Sequence, residues 1–322
     1  MHRRSRQVRA VLAAGGVSLL AAGCGLQGAN AYVPEAQPGS VERVDSLEGV
    51  EVTVGSKNFT EQLILGKMAG IVLKASGAEV NDKTNLAGSN ASRQAQVDGA
   101  VDMGWEYTGT AWVSYFAEDE PIEGRIPQWE AVRDRDLDEN GLVWLEPAPM
   151  NNTYAFATPK ETAEELGITK MSDLAKLPVE DLTFCVEAEF NNRDDGFRPM
   201  METYGLPIGD KIPEDNVTIL DTGVIYDVTD KGDTCNFGEV FTTDGRILAL
   251  GLTPLEDDKA FLPLYNVAAV FQEGLLKDHP ELEEAFGAVS EKLTTETMLE
   301  LNAKVDVDGE NPANVAMDWL VA

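Results

Sequence analysis

A recurring order of short strand, tight loop and helix is what most constrains how this chain folds. "VEVTVG" places Val50, Val52 and Val54 on one strand face, and "SKNFTEQLILGKMAGIVLKASG" then carries Leu63, Ile64, Met68, Ile71, Val72 and Ala75 at helical spacing. Asn58, with Glu61 three places on, has the spacing of a capping box and marks the helix start. The order returns at "AVDMGWEYTGTAWVSYFA", "DLTFCVEAEFNNRDDGFRPMMETYG" and "NVTILDTGVIYDVTDKG". Strands that alternate with helices in this way predict an α/β fold with mostly parallel sheets. The C-terminal third turns helical, with amphipathic spacing in "PELEEAFGAVSEKL", "TTETMLELNAKV" and "NPANVAMDWLVA". With 322 residues, 43% of them hydrophobic, the chain is long enough for two globular units.

Charge and composition narrow the function. The formal net charge of −31 repels nucleic acid and anionic lipid, so contact with a membrane needs another cause. The N-terminus supplies one: Arg3, Arg4, Arg6 and Arg9 precede the apolar run Val11 to Ala22, then "AGCG". Residues 1–23 read as a signal peptide. A cysteine after small residues at the end of such a run resembles a bacterial lipobox cleaved before Cys24, which would then carry lipid. Ala21 stands where leucine is commonest, and the alternative is a plain secretory signal. Loss of the four arginines would take the charge from −31 to −35. Residues 24–47, rich in Gly, Gln, Pro and Ser, read as a flexible tether.

Cys185 and Cys235 remain, an even pair in an exported chain, open to either a disulfide or two buried thiols. His279 is the only histidine past the signal and reads as solvated. One histidine and two cysteines give no convincing Ser-His-Asp triad and no Cys/His metal site. A carboxylate-pair hydrolase stays formally open, but 56 acidic residues make chance pairs uninformative. Binding is favoured over catalysis, with no cofactor or metal expected.

In sheets of this kind, ligands bind beyond the carboxyl ends of the strands. Lys57 falls between a strand end and a helix start, Thr110 just inside another helix start, and Arg193 after the strand "LTFCVEAEF". Lys57 and Arg193 are candidates to grip one carboxylate, although each alone also reads as an ordinary surface cation. Tyr107, Tyr154, Phe241 and Tyr265 lie at or just beyond strand ends. Lining one cleft, their faces would attract a cation that cannot donate hydrogen bonds, each contact contributing about 0.5 to 2 kcal/mol. Core packing is the competing reading for these four, and the better one for Trp144, Phe184 and Trp319.

"VGSKNFTEQLILGKM", "DMGWEYTGTAW", "EFNNRDDG", "FTTDGRI", "LEDDKAFLPLYN" and "LTTETMLELNAKVD", in that order, resemble the substrate-binding proteins of ABC importers for glycine betaine, choline and carnitine. The resemblance runs from about Val50 to the C-terminus. It implies a two-lobed periplasmic-binding-protein fold of type II-like architecture, with the ligand in the cleft between hinged lobes. Lobe 1 would comprise residues 48–149 and 254–322, and lobe 2 residues 150–253. It also implies an aromatic cage of Tyr107, Tyr154, Phe241 and Tyr265. The ligand carboxylate would meet Lys57, Thr110 and Arg193, with Gln62, Asn152 and Glu189 nearby. Phe241 stands where the family has tyrosine, so the ring face remains without its hydroxyl, and threonine at 110 favours the broader or betaine-preferring type. The expected protein is a lipid-anchored monomer on the extracytoplasmic face of a bacterial plasma membrane, serving an ABC permease. Another small cationic or zwitterionic solute is the alternative ligand.

Overall fold

The computed structural model describes residues 33–34, 47–118, 122–193 and 195–321. The signal segment, Cys24 and most of the expected tether lie outside these residues. Among the described residues, ten strands form two five-stranded sheets. The first has β1 (Glu51–Lys57), β2 (Glu79–Leu86), β3 (Met103–Tyr107), β4 (Leu142–Trp144) and β10 (Val267–Gln272), in the order β2-β1-β3-β10-β4. The second has β5 (Tyr154–Pro159), β6 (Phe184–Val186), β7 (Val217–Ile219), β8 (Phe237–Phe241) and β9 (Leu252–Pro254), in the order β7-β6-β8-β5-β9.

Both sheets share one design. β1 pairs in parallel with β2 and β3, and β6 with β7 and β8. β10 runs against β3 and β4, and β5 against β8 and β9. Four strands of each sheet therefore point one way and one points back. The chain passes between the sheets twice, once from β4 to β5 and once from β9 to β10. A strand reached by such a passage enters from the site end, which is why it runs antiparallel to its neighbours.

The Thr60–Ala75 helix is buried on nearly every side, against the first sheet and under the returning C-terminal helices Thr295–Asp306 and Pro312–Val321. Its apolar residues join one core with Trp105, Phe271 and Phe286. A second core, built on Phe156, Phe184, Phe190 and Phe197, fills the other sheet. Trp144 and Phe184 are core residues, and Trp319 packs at the edge of the first core.

Three expectations need correction. Val33, inside the segment read as a flexible tether, is buried against that first core, and its carbonyl accepts from Lys74 Nζ at 2.8 Å. Asn58 does not cap the helix, since Phe59 is the N-cap and makes no side-chain cap bond; Asn58 Oδ1 instead accepts from Gly88 N at 3.1 Å. His279 is half-buried at the end of a short helix, with Nδ1 3.5 Å from a Glu281 carboxylate oxygen.

Cys185 of β6 and Cys235 just before β8 form a disulfide, with Cα atoms 5.8 Å apart and a sequence separation of 50. It ties neighbouring parallel strands and is buried with Ile225. Closing a loop of that length restricts the unfolded chain by about 4 kcal/mol in the chain-entropy view. The Cys185→Ser/Cys235→Ser double variant is therefore expected to lose about 2 to 4 kcal/mol of unfolding free energy, read as a lower urea midpoint. A midpoint unchanged from wild type would show that the bridge contributes no stability.

Candidate functional site

The two sheets present corresponding ends to one cavity of about 300 Å³. Lys57 and Tyr107 end β1 and β3, and Phe241 ends β8. Tyr154 begins β5 and Tyr265 precedes β10, so neither follows a strand. They reach the same place because those strands run backwards, with Tyr154 paired in register to Phe241 and Val267 to Tyr107. Arg193 also differs from expectation: it terminates the short helix Ala188–Asn192 instead of following a strand.

The four rings line the cavity together, and Phe59, which the sequence reading passed over, joins them. Phe59 stacks on Tyr107 with centroids 6.2 Å apart and on Phe241 at 5.5 Å. Tyr154 meets Phe241 at 5.3 Å and Tyr265 edge-on at 5.8 Å. The result is a continuous arc from Tyr107 to Tyr265. "EYTGT" needs its glycine because a Cβ at Gly109 would stand 2.8 Å from the Tyr265 ring and 2.7 Å from the Leu264 carbonyl oxygen. Thr110, on the same turn, faces the cavity at the entry to the π-helix Ala111–Tyr115. Bulges of this type concentrate at functional sites.

The cations carry internal partners. Lys57 Nζ lies 2.6 Å from Glu106 Oε1, both side chains buried, and 5.0 Å from the Tyr107 ring centroid. Arg193 donates to Asp195 from Nε at 2.7 Å and Nη2 at 2.6 Å, a two-point contact that leaves Nη1 the least engaged. Its guanidinium lies 5.5 Å from the Tyr154 centroid and 6.0 Å from that of Tyr265. Asp195 also accepts from Tyr265 Oη.

Glu189 crosses the cleft, accepting from Ser89 Oγ at 2.8 Å and facing Arg193 Nη1 at 3.4 Å. Gln62 is not on the cavity wall. Its Oε1 accepts from Lys57 N at 3.2 Å and its Nε2 donates to the Trp105 carbonyl at 3.2 Å, so it fixes the ends of β1 and β3.

Glu61, whose spacing from Asn58 predicts a capping partner, belongs instead to the cavity and is the second residue that sequence reasoning misses. It is 2% exposed and lines the cavity. Tyr107 Oη and Asn152 Nδ2 donate to its Oε1 at 2.6 and 2.9 Å. Thr243 Oγ1 and Asn302 Nδ2 donate to Oε2 at 2.6 and 3.3 Å. Burial raises the Glu61 pKa, against the pull of these four hydrogen bonds. Across the cavity, the loop after β8 presses on the Thr295–Asp306 helix so closely that a Cβ at Gly245 would lie 2.4 Å from Ala303 Cα.

Two sheets joined by two crossings, with a small lined cavity between their strand ends, define a solute-binding protein. The family of substrate-binding domains of ABC-type glycine betaine transport systems matches residues 50–322. A glycine-betaine-binding protein of Pseudomonas aeruginosa is 39% identical over 276 residues, 83% of this chain and 86% of that one. The glycine betaine-binding protein YehZ of Escherichia coli is 32% identical over 84% of this chain and 89% of its own length. A crystal structure described as a glycine betaine/carnitine/choline ABC transporter superposes with a TM-score of 0.69 at 29% identity, covering 84% of this chain and 97% of that one. The chain belongs to this family: it is an ABC-transporter substrate-binding protein of the glycine betaine, choline and carnitine group, and not an enzyme. Proteins of this class work outside the cytoplasm with membrane permease subunits. No helix among the described residues is long and apolar enough to cross a membrane.

Behind the rings, Glu239 of β8 is buried, its pKa raised to about 8 chiefly by desolvation. One oxygen accepts from Glu187 N at 2.7 Å and the other has no hydrogen-bond partner among the described residues. The folded-state pKa lies above the ordinary value of 4.5, so the folded protein holds the proton longer than the unfolded chain. The stability this confers is complete below about pH 4.5 and is lost as pH rises through 8. Glu239→Gln is expected to raise Tm at pH 8 and to change it much less at pH 5. A Tm difference equal at both pH values would show that Glu239 does not titrate in this way.

Proposed function

We propose that the cavity takes glycine betaine or a related quaternary ammonium osmoprotectant, such as choline, carnitine or proline betaine, and delivers it to the permease. The observation that carries this reading is the arc of aromatic rings on one small cavity. A trimethylammonium group has no hydrogen to donate, so ring faces and nearby negative charge are what can hold it. Arg193, whose guanidinium lies near Tyr154 and Tyr265, sets a positive charge at that end of the arc, where a carboxylate on the ligand would meet it. Tyr107, Tyr154, Phe241 and Tyr265 form the cage. Lys57, Thr110 and Arg193 meet the carboxylate of betaine or carnitine, with Asn152 and Glu189 beside them.

The polarity of that second end rests on Arg193 Nη1 and on the Thr110 hydroxyl, because Lys57 is shared with Glu106. The tether docks through Val33, and the segment before it carries the lipobox-like "AAGC", so the protein is proposed to be a lipid-anchored monomer on the outer face of the plasma membrane.

Titration calorimetry of the soluble domain with betaine, choline, carnitine and proline betaine tests the reading, and no binding of any of them would reject it. Tyr154→Ala is expected to weaken betaine and choline alike by about 1 to 2 kcal/mol, a tenfold change or somewhat more. Removing Arg193 alone would leave Asp195 buried and unpaired, so the informative variant is Arg193→Ala with Asp195→Asn. It should cost betaine about 2 to 5 kcal/mol and choline, which has no carboxylate, much less. Equal losses for both ligands would assign Arg193 to closing the lobes.

A further inference from the structure

The cavity wall has two buried acids, and their charges are handled differently. Asp244 is in a two-point pair with Arg246, Oδ1 accepting from Nε at 2.9 Å and Oδ2 from Nη2 at 2.5 Å. Glu61 has no cation within ion-pair distance among the described residues. Glu106 on Lys57 and Asp195 on Arg193 follow Asp244, whereas Glu239, behind the rings and off the cavity wall, has no cation partner among the described residues and accepts only the Glu187 N–H, in contrast to the four donors on Glu61. Buried carboxylates are seldom left without a counter-charge.

The groups around Glu61 do not supply one. All four donors are neutral, and two are side-chain amide N–H groups, which can only donate. Such a ring of donors holds the carboxylate as an acceptor. One of the four is the phenol of Tyr107, a cavity-lining tyrosine, so charge on Glu61 also enriches that ring and strengthens its face as a cation acceptor. Phe59, stacked on Tyr107, begins the helix that carries Glu61.

Resting on the reading that a quaternary ammonium solute occupies this cavity, we propose that Glu61 is a specificity-determining residue whose unpaired charge is the counter-charge for the ligand's cationic head. Charge itself, beyond size and shape, then becomes a criterion of entry. The ring arc alone would still favour a cation but would discriminate less against a neutral group of the same shape. Thr243 also links Glu61 to the loop after β8, so a mere contact between lobes is the competing role.

The experiment compares choline with 3,3-dimethylbutan-1-ol, in which carbon replaces the charged nitrogen, by calorimetry with competition for the weaker ligand. Wild type is expected to prefer choline by on the order of a hundredfold. Glu61→Gln keeps size and an acceptor and is expected to lower that ratio tenfold or more. Glu61→Asp, which keeps the charge but draws it back by one methylene, is expected to lower it severalfold. Thr243→Val, which breaks the contact with the loop and keeps the charge, should weaken both ligands with the ratio unchanged. An unchanged ratio in either folded Glu61 variant, or an equal fall in Thr243→Val, would overturn the proposal. Wild type that binds choline and betaine while the Glu61 variants keep its ratio would leave the proposed function standing and reject this role alone.

Discussion

One carboxylate organises the centre of this protein. Glu61 sits at the first turn of the helix after β1 and collects hydrogen bonds from four segments distant in sequence: β3 through Tyr107, the first crossing through Asn152, the loop after β8 through Thr243, and the Thr295–Asp306 helix through Asn302. A buried carboxylate left unsolvated is costly, so these donors have to converge. Their convergence draws the second sheet's loop onto the C-terminal helix. Asn302 donates to the Thr243 carbonyl at 2.8 Å and Gly245 closes on Ala303 there. The opposite rim is joined by the Ser89–Glu189 hydrogen bond.

The backward strand in each sheet does the complementary work. In a sheet of parallel strands only carboxyl ends would face the cavity, and each would lead into a helix. β5 and β10 instead enter from that side, so Tyr154 and Tyr265 stand on chain that has just crossed between sheets. The crossings that connect the lobes thus also hold two of the rings. Internal pairing of Lys57 and Arg193 fits the same economy of charge. The chain is strongly acidic, and its cations near the cavity are held by acids of the protein, leaving a site whose local balance suits a positive head group.

Much of the fold was legible because periodicity is local. The four strand-to-helix units and the three closing helices stand where their spacing placed them. The rings were legible as strand-end residues, although which end depended on strand direction, and direction is settled by pairing partners far away in sequence. Glu61 and Phe59 were hidden for a related reason. Asn58 and Glu61 have capping-box spacing, but the donors that claim Glu61 come from residues 107 to 302, and no local pattern announces them. Gln62 looked like a ligand contact and is occupied by the backbone of β1 and β3. Val33 had no periodicity to read, yet it docks beside Gly70, where the absence of a side chain gives it room.

The most direct measurement is a crystal structure of the soluble domain with glycine betaine. Its trimethylammonium group is expected among Tyr107, Tyr154, Phe241 and Tyr265, within about 6 Å of their ring centroids, with its carboxylate turned towards Arg193 and Thr110. Betaine seated outside this arc, or held with its carboxylate against the rings, would contradict the assignment of the two ends.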